Sequence, residues 1–169
     1  MAGVLIQGSG VIQSSDYKAV SWVGKTKGGK SVTIAMTNAI NLGDIDWTFA
    51  EKNDTVPQLI FTAAYAADAT GTTEPWTITL EDGLTSGVDE IILGAGVFSV
   101  AGTAIALTRG GGSFRVTREY RRINADGDRG AVKGRVVCEG SEATLTLNAL
   151  EFITSVPTLY PCVTTTAAT

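Results

Sequence analysis

Apolar and polar side chains alternate along much of this chain. In SFRVTREYRR, residues 113–122, Phe114, Val116 and Tyr120 fall on one face while Arg115, Thr117, Glu119 and Arg121 fall on the other. A period of two is that of a half-buried β-strand. The same alternation groups Val32, Ile34 and Met36, then Leu59, Phe61 and Tyr65, then Trp76, Ile78 and Leu80, then Leu145 and Leu147. Short runs of Val, Thr and Ile between glycines, with 20 Gly against four Pro, predict a mainly β chain with tight turns. Gly, Asp, Asn and Thr concentrate in DATGTTEP, 68–75, and NADGDRGA, 124–131, which read as long loops. A short helix is expected in TSVPTLY, 154–160, with Thr154 or Ser155 as N-cap and Pro157 in the first turn. The stretch TNAINLGDIDWTF, 37–49, is broken by Gly43 and reads as helix or loop.

Composition narrows the chemistry. A chain of 169 residues is one domain's worth, and its net charge of −4 does not favour nucleic acid phosphates. No apolar run approaches the roughly 20 residues of a membrane span, and the start lacks the charged opening of a secretory signal. A cytosol is the expected place of synthesis. Histidine is absent, which removes the usual neutral-pH base, the Ser-His-Asp and Cys-His arrangements and the commonest metal ligand. Cys138 and Cys162 form no C-x-x-C pair and read as buried free thiols.

One motif points elsewhere. Residues 24–31, GKTKGGKS, satisfy G-x-x-x-x-G-K-[ST], the pattern of a phosphate loop. Such a loop must open a helix whose amides and dipole hold the phosphate. Here Val32-Thr33-Ile34 follow, a β-branched run that favours strand, so a glycine hairpin turn carrying solvated lysines is expected instead. Thr108 to Val116 repeat the pattern faintly, TRGGGSFRV against TKGGKSVTI, and both copies read as strand, basic glycine turn, strand. NADGDRG resembles the start of a calcium loop, but Arg129 and Arg135 stand where glycine and glutamate are needed. Asp44, Asp46, Glu51 and Asp54 are carboxylates that acid–base chemistry could use, though solvated loop charge accounts for them equally. Arg115, Arg118, Arg121 and Arg122 are interrupted by Glu119 and read as ion pairing on a sheet face or a subunit contact rather than DNA contact.

Residues 93–153 carry a resemblance. Their Gly-Ala-Gly-Val opening, Thr-Arg-Gly-Gly turn, aromatic strand ending in Glu119-Tyr120-Arg121, Asp-Gly-x-Arg-Gly hairpin, Val132-Lys133-Gly134 and Ala-Thr-Leu-Thr strand together resemble the tail tube, or major tail, proteins of long-tailed bacteriophages. DYKAVSWVG and the segment from TNAINLGDIDW to EPWTI, in the first half, resemble another part of the same family. The two segments stand in the reverse of the family's order, which reads as a circular permutation joined through EDGLTSGVDE, 81–90.

The resemblance implies a β-sandwich or curved-sheet tail-tube fold with one short α-helix and long loops. It forms a single domain over 1–169, whose segments 1–80 and 93–160 are joined by an 81–92 linker. It implies a virion protein without catalysis, cofactor or metal, assembled in the bacterial cytoplasm into usually hexameric rings that stack into a tube, of the non-contractile kind. Genome DNA passes through the lumen without specific binding. The implied partners are further copies of the chain, the tape measure, tail terminator and distal tail proteins, and no membrane. Arg109, Arg118, Tyr120, Arg121, Asp126, Arg129 and Lys133 are the expected packing and inter-subunit contacts, with Gly110, Gly111, Gly127, Gly130 and Gly134 setting turn geometry. The glycine-rich loops at 68–75 and 124–131 are the expected ring-to-ring contacts. The alternatives are another virion component, such as a distal tail, baseplate or head-decoration protein, and, from a different class, a small nucleotide-binding enzyme using the 24–31 motif.

Overall fold

The computed structural model of the chain describes residues 4–8, 10–47, 54–66, 73–83, 87, 92–105, 108–126, 132–150 and 156–167. They are mainly β. The strands are β1 (Val4–Gly8), β2 (Lys18–Thr26), β3 (Ser31–Asn41), β4 (Gln58–Ala63), β5 (Trp76–Leu80), β6 (Ile92–Val100), β7 (Thr103–Ile105), β8 (Thr108–Arg122), β9 (Val136–Ala149) and β10 (Val163–Ala167). One short helix, α1 (Val156–Leu159), lies inside the span expected for it, with Pro157 in its single turn. Thr154 and Ser155 are outside the described residues.

Seven strands form an antiparallel path in the order β7-β6-β2-β3-β4-β9-β8, and β5 adds to β3 off that path. β3 therefore shares one edge between two partners: Val32 to Met36 pair with β5, and Ala39 to Asn41 pair with β4. Between the halves lies a bulge, since Val20 faces Met36 whereas Lys18 faces Ala39. The extra β3 residue bends the strand and restarts its alternation, so Val32 and Met36 before it and Ala39 and Asn41 after it are all buried.

Bending curls the sheet. β4 and β6 are three strand spacings apart, about 14 Å in a flat sheet, yet the rings of Phe61 and Phe98 lie 5.8 Å apart between centroids. Leu59, Phe61, Leu145, Leu147, Val20, Met36, Phe98 and Val100 fill the concave side, and α1 covers it with Val156, Leu159 and the adjoining Tyr160. A fully buried Leu or Phe contributes about 1.5–3 kcal/mol by leaving water, so this cluster is the main source of stability. β1 and β10 form a separate two-stranded ribbon in which Val4 faces Ala167, bringing the two ends of the described chain together.

The strand expectations hold where the curl covers the side chain. Tyr65 lies past the end of β4 and is exposed, and Ile78 and Leu80 project from β5 where no other layer among the described residues lies over them. Residues 37–41, expected as helix or loop, belong to β3, because Ala39, Ile40 and Asn41 are held by pairing with β4; residues 42–47 are loop. Both cysteines are free, as expected, but neither is buried: Cys162 is half-buried, and Cys138 is exposed because it lies in the first residues of β9, before the strand reaches the core at Ala143.

Candidate functional site

The phosphate-loop pattern lies on the β2–β3 hairpin. Thr26 N–H donates to the Lys30 carbonyl at 2.8 Å, and Gly29 N–H donates to the Thr26 carbonyl at 2.9 Å. This closes a three-residue loop with Gly29 at φ +88°, a conformation glycine adopts without strain. The groups that would face a phosphate face a carboxylate. Ser31 N–H donates to Glu81 Oε2 at 2.8 Å, and Lys30 Nζ lies 3.6 Å from Glu81 Oε1. The Ser31 amide, with Lys30 second, holds the Glu81 carboxyl below the usual carboxylate range.

The second glycine run is not a turn between strands, as its likeness to the first suggested. It is a bulge within β8. Thr108 faces Ala149 and Gly112 faces Leu147, so β8 carries two more residues than β9 over this interval. Gly110 and Gly111 take φ +84° and +76°, and a Cβ on Gly112 would stand 2.4 Å from the Thr146 carbonyl oxygen. Both runs place glycines at positive φ; what differs is the long-range pairing with β9, which the local pattern does not encode.

Beyond this bulge β8 and β9 leave the body. Core contacts end near Val116 and Ala143, while pairing continues from Thr117–Glu142 to Arg122–Val136. The result is a two-stranded ribbon about 20 Å long, exposed around Tyr120, Val136 and Val137. Tyr120 was expected to share a buried face with Phe114 and Val116, but no layer among the described residues reaches that far, and it is 61% exposed. A β9 bulge lies opposite, since Glu119 pairs with Gly140 and Tyr120 with Cys138, leaving Glu139 between them; Arg121 Nε forms an ion pair with Glu139 there.

The remaining candidate assembly residues are spread from the body end of β8 to the tip of the arm. Arg109 pairs with Asp54 at 2.8 Å across exposed surface, a contact of about 0–1 kcal/mol. Arg118 sits 5.9 Å over the centroid of Trp76, a cation–π contact at the ribbon's root. Asp126 and Lys133 are exposed near the tip, where Gly134 takes φ +83° and Ile123 N–H reaches the Arg135 carbonyl at 2.9 Å. Gly127, Arg129 and Gly130 lie outside the described residues, as do Glu51 and residues 68–72 and 127–131 of the expected contact loops. Among the described residues no group of acidic side chains and cysteines could hold a metal ion.

Two features went unmarked in the sequence. Ser141 joins the ribbon's root to the body, donating to Glu74 Oε2 and accepting from Trp76 Nε1 at 3.3 Å, with Tyr65 OH donating to the same carboxylate oxygen at 3.1 Å. The other is a cavity of about 460 Å³ in the curl, walled by Trp22, Ile34, Phe98, Phe114 and Leu147. Trp22 lies flat across Gly24 and Gly96, where added Cβ atoms would come within 2.1 and 2.5 Å of its ring. Gly24 and Gly96 face each other across β2 and β6. An aromatic two positions from a glycine in one strand, with Gly-Ala-Gly in another, is the signal that could have shown it.

Comparison of the chain with protein-family models, with curated proteins and with solved structures finds no match.

Proposed function

We propose that this chain is a structural subunit of the tail tube of a long-tailed bacteriophage, polymerising into stacked rings around the channel through which genome DNA is delivered. The observation that carries this reading is the β8–β9 ribbon. An isolated two-stranded ribbon is marginal in water, and an open, partly apolar strand edge invites pairing with another chain. This one exposes Tyr120, Val136 and Val137, and beyond Thr117 and Glu142 neither of its edges has a neighbouring strand among the described residues. Ordering such an arm is favourable when a second subunit covers it. The resemblance of residues 93–153 to major tail proteins agrees, as does a mainly β body whose outermost strand, β8, leaves an edge free for a heterologous contact that either closes a ring or extends a filament. The role requires no catalysis.

Negative-stain electron microscopy of the purified chain over a concentration series tests the proposal. Rings or tubes are expected. Monomers at the highest concentration, or binding confined to phage heads, would turn the assignment to a decoration or other virion component.

A further inference from the structure

The strand register places two unlike patches at opposite ends of β2 and β3. At one end is the 42–46 loop, in which Leu42, Asp44, Ile45 and Asp46 are all exposed. Its shape is fixed from both sides. The buried Asn41 Oδ1 accepts from Gly43 N–H at 3.0 Å and from Ile60 N–H at 3.1 Å, and Trp47 packs against the core. Two aliphatic side chains and two carboxylates are thus presented on a rigid knob, and among the described residues neither carboxylate has an ion-pair partner.

The other end, beside the Lys30–Glu81 pair, exposes two further lysines. Val23 and Lys25 share the convex face of β2, Val97 lies opposite Val23 on β6, and Lys27 follows in the hairpin loop. Val23 and Val97 are 40% and 52% exposed, and neither lysine forms an ion pair among the described residues. β3 separates the patches by about 30 Å along its length, so one molecule cannot satisfy both itself.

We infer that these patches are the two halves of one head-to-tail contact: the Leu42–Asp46 knob of one copy seats on the Val23–Val97 face of the next, with Asp44 and Asp46 against Lys25 and Lys27. Charge complementarity selects a second copy as the occupant, two carboxylates meeting two ammonium groups while the aliphatic side chains cover each other. A patch this small falls below the roughly 800 Å² per partner of a stable dimer, so it acts together with other contacts in a closed or extended assembly. The inference rests on the self-assembly reading and adds the surfaces that would carry it.

Charge reversal in the full-length chain tests it, with assembly followed by sedimentation velocity and folding checked by circular dichroism. Asp44→Lys with Asp46→Lys, and separately Lys25→Glu with Lys27→Glu, should each raise the concentration needed for assembly by about tenfold or more through like-charge contact. The fourfold variant restores complementarity and should assemble near the wild-type concentration. Folded two-site variants that assemble as wild type does, or a folded fourfold variant that stays impaired, would overturn the contact while leaving self-assembly standing. A wild-type chain that never associates would remove the self-assembly reading itself.

Discussion

At the scale of single residues, the contacts that define the hairpin and the cavity are few enough to break one at a time. Replacing Gly96 with valine drives branched carbon into the Trp22 ring. The expected cost is about 1–3 kcal/mol, read as a lower denaturation midpoint together with altered near-ultraviolet circular dichroism. The Glu81 carboxylate gives a pH signature. Its pKa is depressed by folding, so its stabilisation is complete above the ordinary carboxylate value near 4.5 and is lost as pH falls through the lower folded value. Glu81→Gln should therefore melt below wild type at pH 7, with the gap closing as acid protonates the wild-type carboxylate. Because Lys30 and the Ser31 amide are engaged with that group, ATP titration of the wild type and of Lys30→Ala should show no micromolar affinity in either. Affinity present in wild type and lost on substitution would favour the nucleotide-binding alternative.

Among the elements, the β8–β9 ribbon separates folding from assembly. Its core pairings end at Val116 and Ala143, so replacing residues 119–139 with a two-residue turn should leave the thermal midpoint of the body within a few degrees. The same deletion should abolish rings and tubes in electron micrographs; tubes that persist would remove the arm from the assembly. The strands were legible because alternation is a local property, visible in Val32-Thr33-Ile34 or in Leu145 and Leu147 whatever lies beyond. What covers a strand is not local. Tyr120 and Phe114 share a pattern, yet only Phe114 lies beneath the curl, packed edge-on to Trp76 at 6.0 Å. The glycine runs at 28–29 and 110–112 look alike for the same reason, and the partner strand alone makes one a hairpin loop and the other a bulge. Of the candidate assembly residues, Arg118, Tyr120 and Arg121 were readable as a charged aromatic strand, while their collection on a free arm follows from where β9 leaves β4; Arg109 stays with the body, in the bulge at the other end of β8.

For the whole molecule, the β1–β10 pairing makes the tolerance to circular permutation testable. Val4 lies opposite Ala167, so a short linker can join those strands, and new ends can be opened between Gly83 and Gly87. The permuted chain should keep the wild-type circular dichroism and melt within about 5 °C of it, a shift of 1–2 kcal/mol for a domain this size. In the proposed tube the ribbon would also determine how each copy carries load. A pull on its tip directed along the strands reaches the body through the β4–β9 ladder, five registered pairs from Gln58–Asn148 to Thr62–Thr144. Force in that direction shears all five pairs together, whereas a sideways pull peels them singly. The arm would then be stiff along one axis and compliant across it, resisting axial stretch while letting neighbouring subunits tilt.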